Sequence, residues 1–297
     1  MGAVVQPLVL ALLLAAVLGF FIPAAQTSLQ RWLHRSPAAV WAVPLLLTAI
    51  FAGASVLAGV FSISLALMVL AYTAAPVACA YLQGAGSIAR PNAADFLTIA
   101  LLWLPLEFGA GRTLIPRPAQ GFLHSVAYGI AILLGLVLFL GFRTFPGMKY
   151  NLPRRAADFR LPLIGFALLA PVLAVVGIAI GFIPWPHLPV KTAGQMTAAI
   201  GIIFVGTALP EEILFRSMIQ NLIMLRLGAS WRTLLLASFI FGCAHLDNGP
   251  QPLPNWRYMI VATIAGWAYG RVFQRAGSVM SSAALHLAVN WTKHFFF

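Results

Sequence analysis

Stretches of roughly twenty apolar residues recur along this chain, and within them hydrophobic side chains do not alternate with polar ones. Segments of this kind must satisfy their backbone hydrogen bonds internally once in lipid, which leaves helices and closed barrels. The lack of alternation excludes the barrel. Charge is correspondingly scarce: 8% of the residues are charged, against about 25% in soluble domains. The expected fold is all-α, a polytopic bundle of transmembrane helices.

Ten candidate spans are read, at about 3–22, 39–60, 62–82, 95–111, 121–142, 161–183, 193–225, 230–246, 257–275 and 278–295. The expectation is eight to ten crossings, because 95–111 is short and holds Pro105 and Glu107. The first apolar run has no basic residue before it, which favours a retained span over a cleaved signal peptide. Gln6 stands where a myristoylation signal requires Ser or Thr.

The net charge of +12 does not point to nucleic acid, because the basic residues are scattered through loops. They favour one side of the membrane, and the most basic loop, Arg143 to Arg160, reads as cytoplasmic, with both termini outside. That loop also contains Pro146, Gly147 and Pro153. It suggests a boundary between an accessory N-terminal part, 1–150, and a second part, 151–297, that carries the polar residues. Cys79 and Cys243 both fall in apolar runs, so no disulfide framework or structural metal site is expected.

Of six acidic residues, Glu211 and Glu212 lie adjacent and deep in one span, followed by Arg216. A charged side chain at mid-membrane costs about 2.5–3.5 kcal/mol on insertion scales, so such groups are functional candidates by default. Glu212 and Arg216 are four residues apart and share a helix face, whereas Glu211 is rotated by about 100°. Pro210 cannot donate to the carbonyl of Gly206, so the helix should loosen beside Glu211. Two later spans add Phe241 with His245, and His286 with Asn290, again at spacings of one helical turn. Taken singly, each has a structural reading: an interhelical hydrogen bonder, a packing amide, a structural ion pair. At about 1.5 Å per residue they lie roughly 12–22 Å from the cytoplasmic ends of their spans, so three helices can present them at similar depth.

Glu211-Glu212-Ile213-Leu214-Phe215-Arg216, then Phe241-Gly242-Cys243-Ala244-His245, then His286-Leu287-Ala288-Val289-Asn290 resemble, in order and spacing, the motifs of the CPBP family. This is the CAAX protease and bacteriocin-processing, or Abi, family, which includes the Ras-converting CAAX endopeptidases. The resemblance runs from about 161 to 295. It implies an intramembrane glutamate endopeptidase that cuts near the C-terminus of a lipidated or membrane-inserted peptide or protein. By the same resemblance Glu211 is the general base and His245 holds the water. His286 and Asn290 donate to the oxyanion, with Glu212, Arg216 and Phe241 in support. Membrane lipid and a peptide or protein substrate are the implied partners.

A zinc-dependent version uses Glu211, His245 and His286 as ligands, a two-His-one-Glu set found in catalytic zinc sites. Metal-independent chemistry is favoured, since His-Glu-x-x-His is missing and Asn290 suits an oxyanion donor better than a ligand. Two non-proteolytic readings stand beside it, a scaffold or immunity factor and an ion-coupled transporter. The second is opposed by the lack of a repeated half.

Overall fold

The computed structural model describes residues 2–109, 115, 119–249 and 251–297, and for residues 2–5 it describes the backbone alone. All regular structure among these residues is helical. The backbone divides into two compact units, Met1–Pro146 and Gly147–Phe297.

The first unit contains α1 (Gly2–Gly19), α2 (Pro23–Arg35), α3 (Ala42–Leu57), α4 (Ile63–Tyr81), α5 (Ala93–Glu107) and α6 (Gln120–Leu136). Pro23 opens α2, and the chain bends by 86° between α1 and α2. A buried ion pair, Arg143–Asp95, is also a capping device. Asp95 accepts from the Asn92 N–H and so closes a capping box at the start of α5. Arg143 meets the same carboxylate through Nε at 2.9 Å and Nη2 at 3.1 Å, and Nη1 donates to the carbonyls of Gln83 and Gly84. The guanidinium is thus almost fully used.

The second unit contains α7 (Ala156–Ala179), α8 (Ala193–Leu227), α9 (Trp231–Cys243), α10 (Trp256–Arg275) and α11 (Val279–Phe296). The segment leading into it is pinned to the α10–α11 turn. Lys149 Nζ donates to the carbonyls of Phe273, Gln274 and Ala276 at 2.7–2.9 Å, a cation on the C-terminal end of α10. Burial pulls the Lys149 ammonium pKa below the usual lysine value. Ser278 caps α11 and donates to the Asn151 carbonyl.

Among the described residues, five helices are long and apolar enough to cross a membrane. These are α3 with its leading 3₁₀ turn (Pro37–Leu57), α4, α6 with a π-helical extension (Gln120–Phe142), α7 and α8. The count is six if the bent α1–α2 pair forms one span. The expected eight to ten are not reached on length and composition. Helix α5 has 15 residues, and Glu107 at its end accepts from Trp103 Nε1. Helix α9 has 13 residues. Helices α10 and α11 are long enough but carry arginines, tyrosines, histidines and Lys293. Much of what lowers their hydropathy also builds the polar cluster described next. Helix α7 shows the opposite character: Leu163, Leu168, Val172 and Val175 are exposed, an apolar face suited to lipid.

Candidate active site

Helix α8 is irregular where its charges lie. It is π-helical over Phe204–Ala208, α-helical over Leu209–Glu212, and π-helical again over Ile213–Gln220. Pro210 sits at the start of the short α-helical turn, where its missing N–H is tolerated. The expected loosening beside Glu211 therefore takes the form of two π segments, a feature frequent at functional sites.

Glu212 and Arg216 are both fully buried and paired, with Arg216 Nε donating to Glu212 Oε2 at 3.1 Å. Arg216 Nη1 reaches Gln220 Oε1, and Gln220 Nε2 donates to the Gly270 carbonyl on α10. The guanidinium also lies over the rings of Phe241 and Tyr269, at 4.8 and 5.9 Å. The other carboxylate oxygen of Glu212 meets His286 Nδ1 at 3.1 Å. Glu212 is thus shared between a guanidinium and an imidazole, a triad that spacing along α8 alone does not reveal.

Glu211 approaches the same imidazole from its other edge. Its Oε2 is 3.9 Å from His286 Nε2 and 4.0 Å from His245 Nε2. These gaps are too long for direct hydrogen bonds. A water placed about 2.8 Å from Oε2 can reach either nitrogen.

The His245 tautomer follows from its neighbour. Nδ1 lies 2.8 Å from the Phe241 carbonyl, which can only accept, so Nδ1 carries the hydrogen and the neutral ring presents a lone pair at Nε2. The Phe241 ring packs against His245 at 4.7 Å and meets His286 edge-on at 5.9 Å. Tyr269 stacks on His286 at 4.6 Å and Tyr258 packs on His245 at 4.5 Å. Asn290 follows His286 by one turn of α11, half-buried, and makes no side-chain hydrogen bond to another described residue.

Glu211, Glu212, Arg216, Phe241, His245 and His286 therefore come together from α8, α9 with the turn that follows it, and α11. Tyr258, Tyr269 and Gln220 join them and were not singled out in the sequence. A signal for the tyrosines exists: they are eleven residues, about three turns, apart, and the buried Ala262, Ala265, Gly266 and Val272 extend their stripe on α10. Close approach of α9 and α10 depends on glycine. A Cβ on Gly242 would come within 2.7 Å of the Met259 carbonyl oxygen, and one on Gly266 within 2.9 Å of the Phe241 ring.

Zinc held by Glu211, His245 and His286 would place a condition on the spacing of these atoms. Tetrahedral ligands at about 2.0–2.1 Å from zinc lie roughly 3.4 Å from one another. The Glu211 oxygen is 3.9 and 4.0 Å from the two nitrogens, and no group of three His, Cys, Asp or Glu among the described residues is arranged to hold a metal ion. These three atoms are thus spaced wider than ideal tetrahedral zinc ligands.

Residues 193–292, about a third of the chain, match a family model described as type II CAAX prenyl endopeptidase Rce1-like. The matched stretch contains all three motifs, from Glu211 to Asn290, in agreement with the resemblance noted from the residues themselves. No curated protein and no solved structure matches the chain. With its apolar helices and this similarity to membrane proteases, the chain is an integral membrane protein.

Proposed function

We propose that this protein is an intramembrane endopeptidase of the glutamate type. It would hydrolyse a peptide bond near the C-terminus of a lipidated or membrane-inserted substrate. One observation carries the reading: the Glu211 carboxylate faces the Nε2 atoms of two imidazoles across gaps of 3.9 and 4.0 Å. In this reading Gly147–Phe297 is the catalytic unit and Met1–Pro146 is accessory. The match to a family described as CAAX prenyl endopeptidases makes a prenylated C-terminal peptide the first substrate to try.

Glu211, about one-third exposed, takes a proton from a water that His245 Nε2 helps to orient. The water oxygen attacks the peptide carbonyl carbon, and the carbonyl oxygen becomes an oxyanion. His286 and Asn290 donate to that oxygen. The intermediate collapses with cleavage of the C–N bond, and Glu211 returns its proton to the departing nitrogen. No metal takes part.

The role of His286 sets a condition on its charge. With Nδ1 donating to Glu212, Nε2 carries a hydrogen only in the imidazolium form. Two carboxylates, one guanidinium and one imidazolium then sum to zero, which limits the cost of grouping four ionised side chains of which Glu212, Arg216 and His286 are buried.

The test is cleavage of a fluorogenic prenylated peptide, alongside membrane-protein tails, by detergent-purified protein and by its Glu211→Gln variant. Cleavage by the wild type, reduced at least about a hundredfold in E211Q, is expected. Cleavage that survives the substitution overturns the assigned base. No cleavage of any of these peptides by folded wild type overturns the protease reading in favour of a scaffold.

A further inference from the structure

Lys293 lies in the last turn of α11, three residues beyond Asn290 and therefore on nearly the same helix face. From sequence it counts only as a basic residue near the end of the last candidate span. In the fold its ammonium is turned inward, with Nζ 4.5 Å from the ring centres of both Phe182 and Tyr258. The side chain is half-buried and forms no hydrogen bond or ion pair with another described residue. The helix C-terminus and the faces of the two rings both favour the cation, and neither supplies a full counter-charge. An ammonium held there, partly desolvated and without a carboxylate, is a receptor for an anion.

The position of Lys293 identifies the anion. Tyr258, which packs under Lys293, also packs on His245, again with ring centres 4.5 Å apart. The two contacts in series place Nζ within about 9 Å of the imidazole that orients the attacking water. An extended peptide advances about 3.3–3.6 Å per residue, so three residues span roughly 10 Å. Three is the number that follows the prenylated cysteine in a CAAX tail. Lys293 also borders an apolar hollow with Leu173, Ile183, Val289 and Phe297, suited to an apolar side chain on a terminal residue.

We propose that Lys293 binds the free α-carboxylate of the substrate's C-terminus and so sets how far from the chain end the bond is cut. The inference rests on the endopeptidase reading above and adds to it a subsite with a defined ligand, a carboxylate at the end of a tail of about three residues. It assigns Lys293 to substrate positioning, since the residue touches no reacting atom.

The test compares one prenylated peptide with a free C-terminal acid against its C-terminal amide, and against versions with tails of two, three and four residues. Wild type is expected to cleave the acid about tenfold or more better than the amide, with the difference in KM, and to prefer three residues. In Lys293→Met, which keeps the apolar stem, the acid-to-amide ratio falls to near one and the length preference flattens. Lys293→Arg restores part of both. Equal cleavage of acid and amide by the wild type, or a wild-type ratio in K293M, overturns the proposal. If K293M does not fold, the wild-type comparison and K293R decide. Failure of the wild type to cut any of these peptides would instead overturn the endopeptidase reading, and is distinguishable from equal cleavage of both.

Discussion

Glu212 and His286, 74 positions apart in sequence, are joined by a 3.1 Å contact between Oε1 and Nδ1 in a place from which solvent is excluded. This pairing gives two adjacent glutamates different work. Glu212 is bound on both oxygens, by Arg216 and by His286. Glu211 is about one-third exposed and reaches neither imidazole within hydrogen-bond distance.

Substitutions at the two positions should therefore separate. Glu212→Ala leaves Arg216 and His286 buried without their shared anion, and loss of one partner of a buried pair costs about 3–5 kcal/mol. Thermal unfolding in detergent should show a large drop in Tm for E212A together with loss of activity. For E211Q the activity falls while Tm stays close to wild type. Equal destabilisation by both would contradict the division of roles.

Asn290 offers a cleaner catalytic test, because its side chain is tied to no other described residue. Removing one oxyanion donor typically lowers kcat by about a hundred- to a thousandfold. We expect Asn290→Ala to lose activity on that scale, mostly in kcat, with Tm nearly unchanged. A loss confined to KM would place Asn290 in substrate binding instead.

Metal removal should have no effect on catalysis. Protein stripped with a chelator and shown by elemental analysis to lack zinc is expected to keep its activity on the fluorogenic peptide. Activity that disappears with the metal and returns only with zinc would restore the ligand role for Glu211, His245 and His286.

The glycine contact between α9 and α10 predicts a packing effect at a distance from the chemistry. Gly242→Val drives a side chain into the Met259 carbonyl and Thr263, and overpacking of this kind costs about 1–3 kcal/mol. Because His245 lies three residues further along, the same substitution should lower kcat/KM as well as Tm. A variant that is destabilised yet fully active would show that the α9 end tolerates displacement.

Much of this protein was legible without coordinates because the relevant forces are local. Helices follow from apolar content along a continuous segment, and the Glu212–Arg216 and Phe241–His245 relations follow from spacing within one turn. The loosening at Pro210 follows from a missing donor. The number of spans was less legible. A helix ends where a cap, a proline or a polar turn ends it, and α5 and α9 stop short of the lengths their apolar runs suggest.

What only the tertiary structure decided is which groups meet across helices. The direction of an imidazole edge, the second partner of Glu212, the seating of Tyr258 and Tyr269, and the inward turn of Lys293 depend on how α8, α9, α10 and α11 pack. For α9 and α10 that packing depends on close backbone approach at Gly242 and Gly266. Spacing along a chain determines which side chains share a face, and a shared face does not specify what lies opposite it.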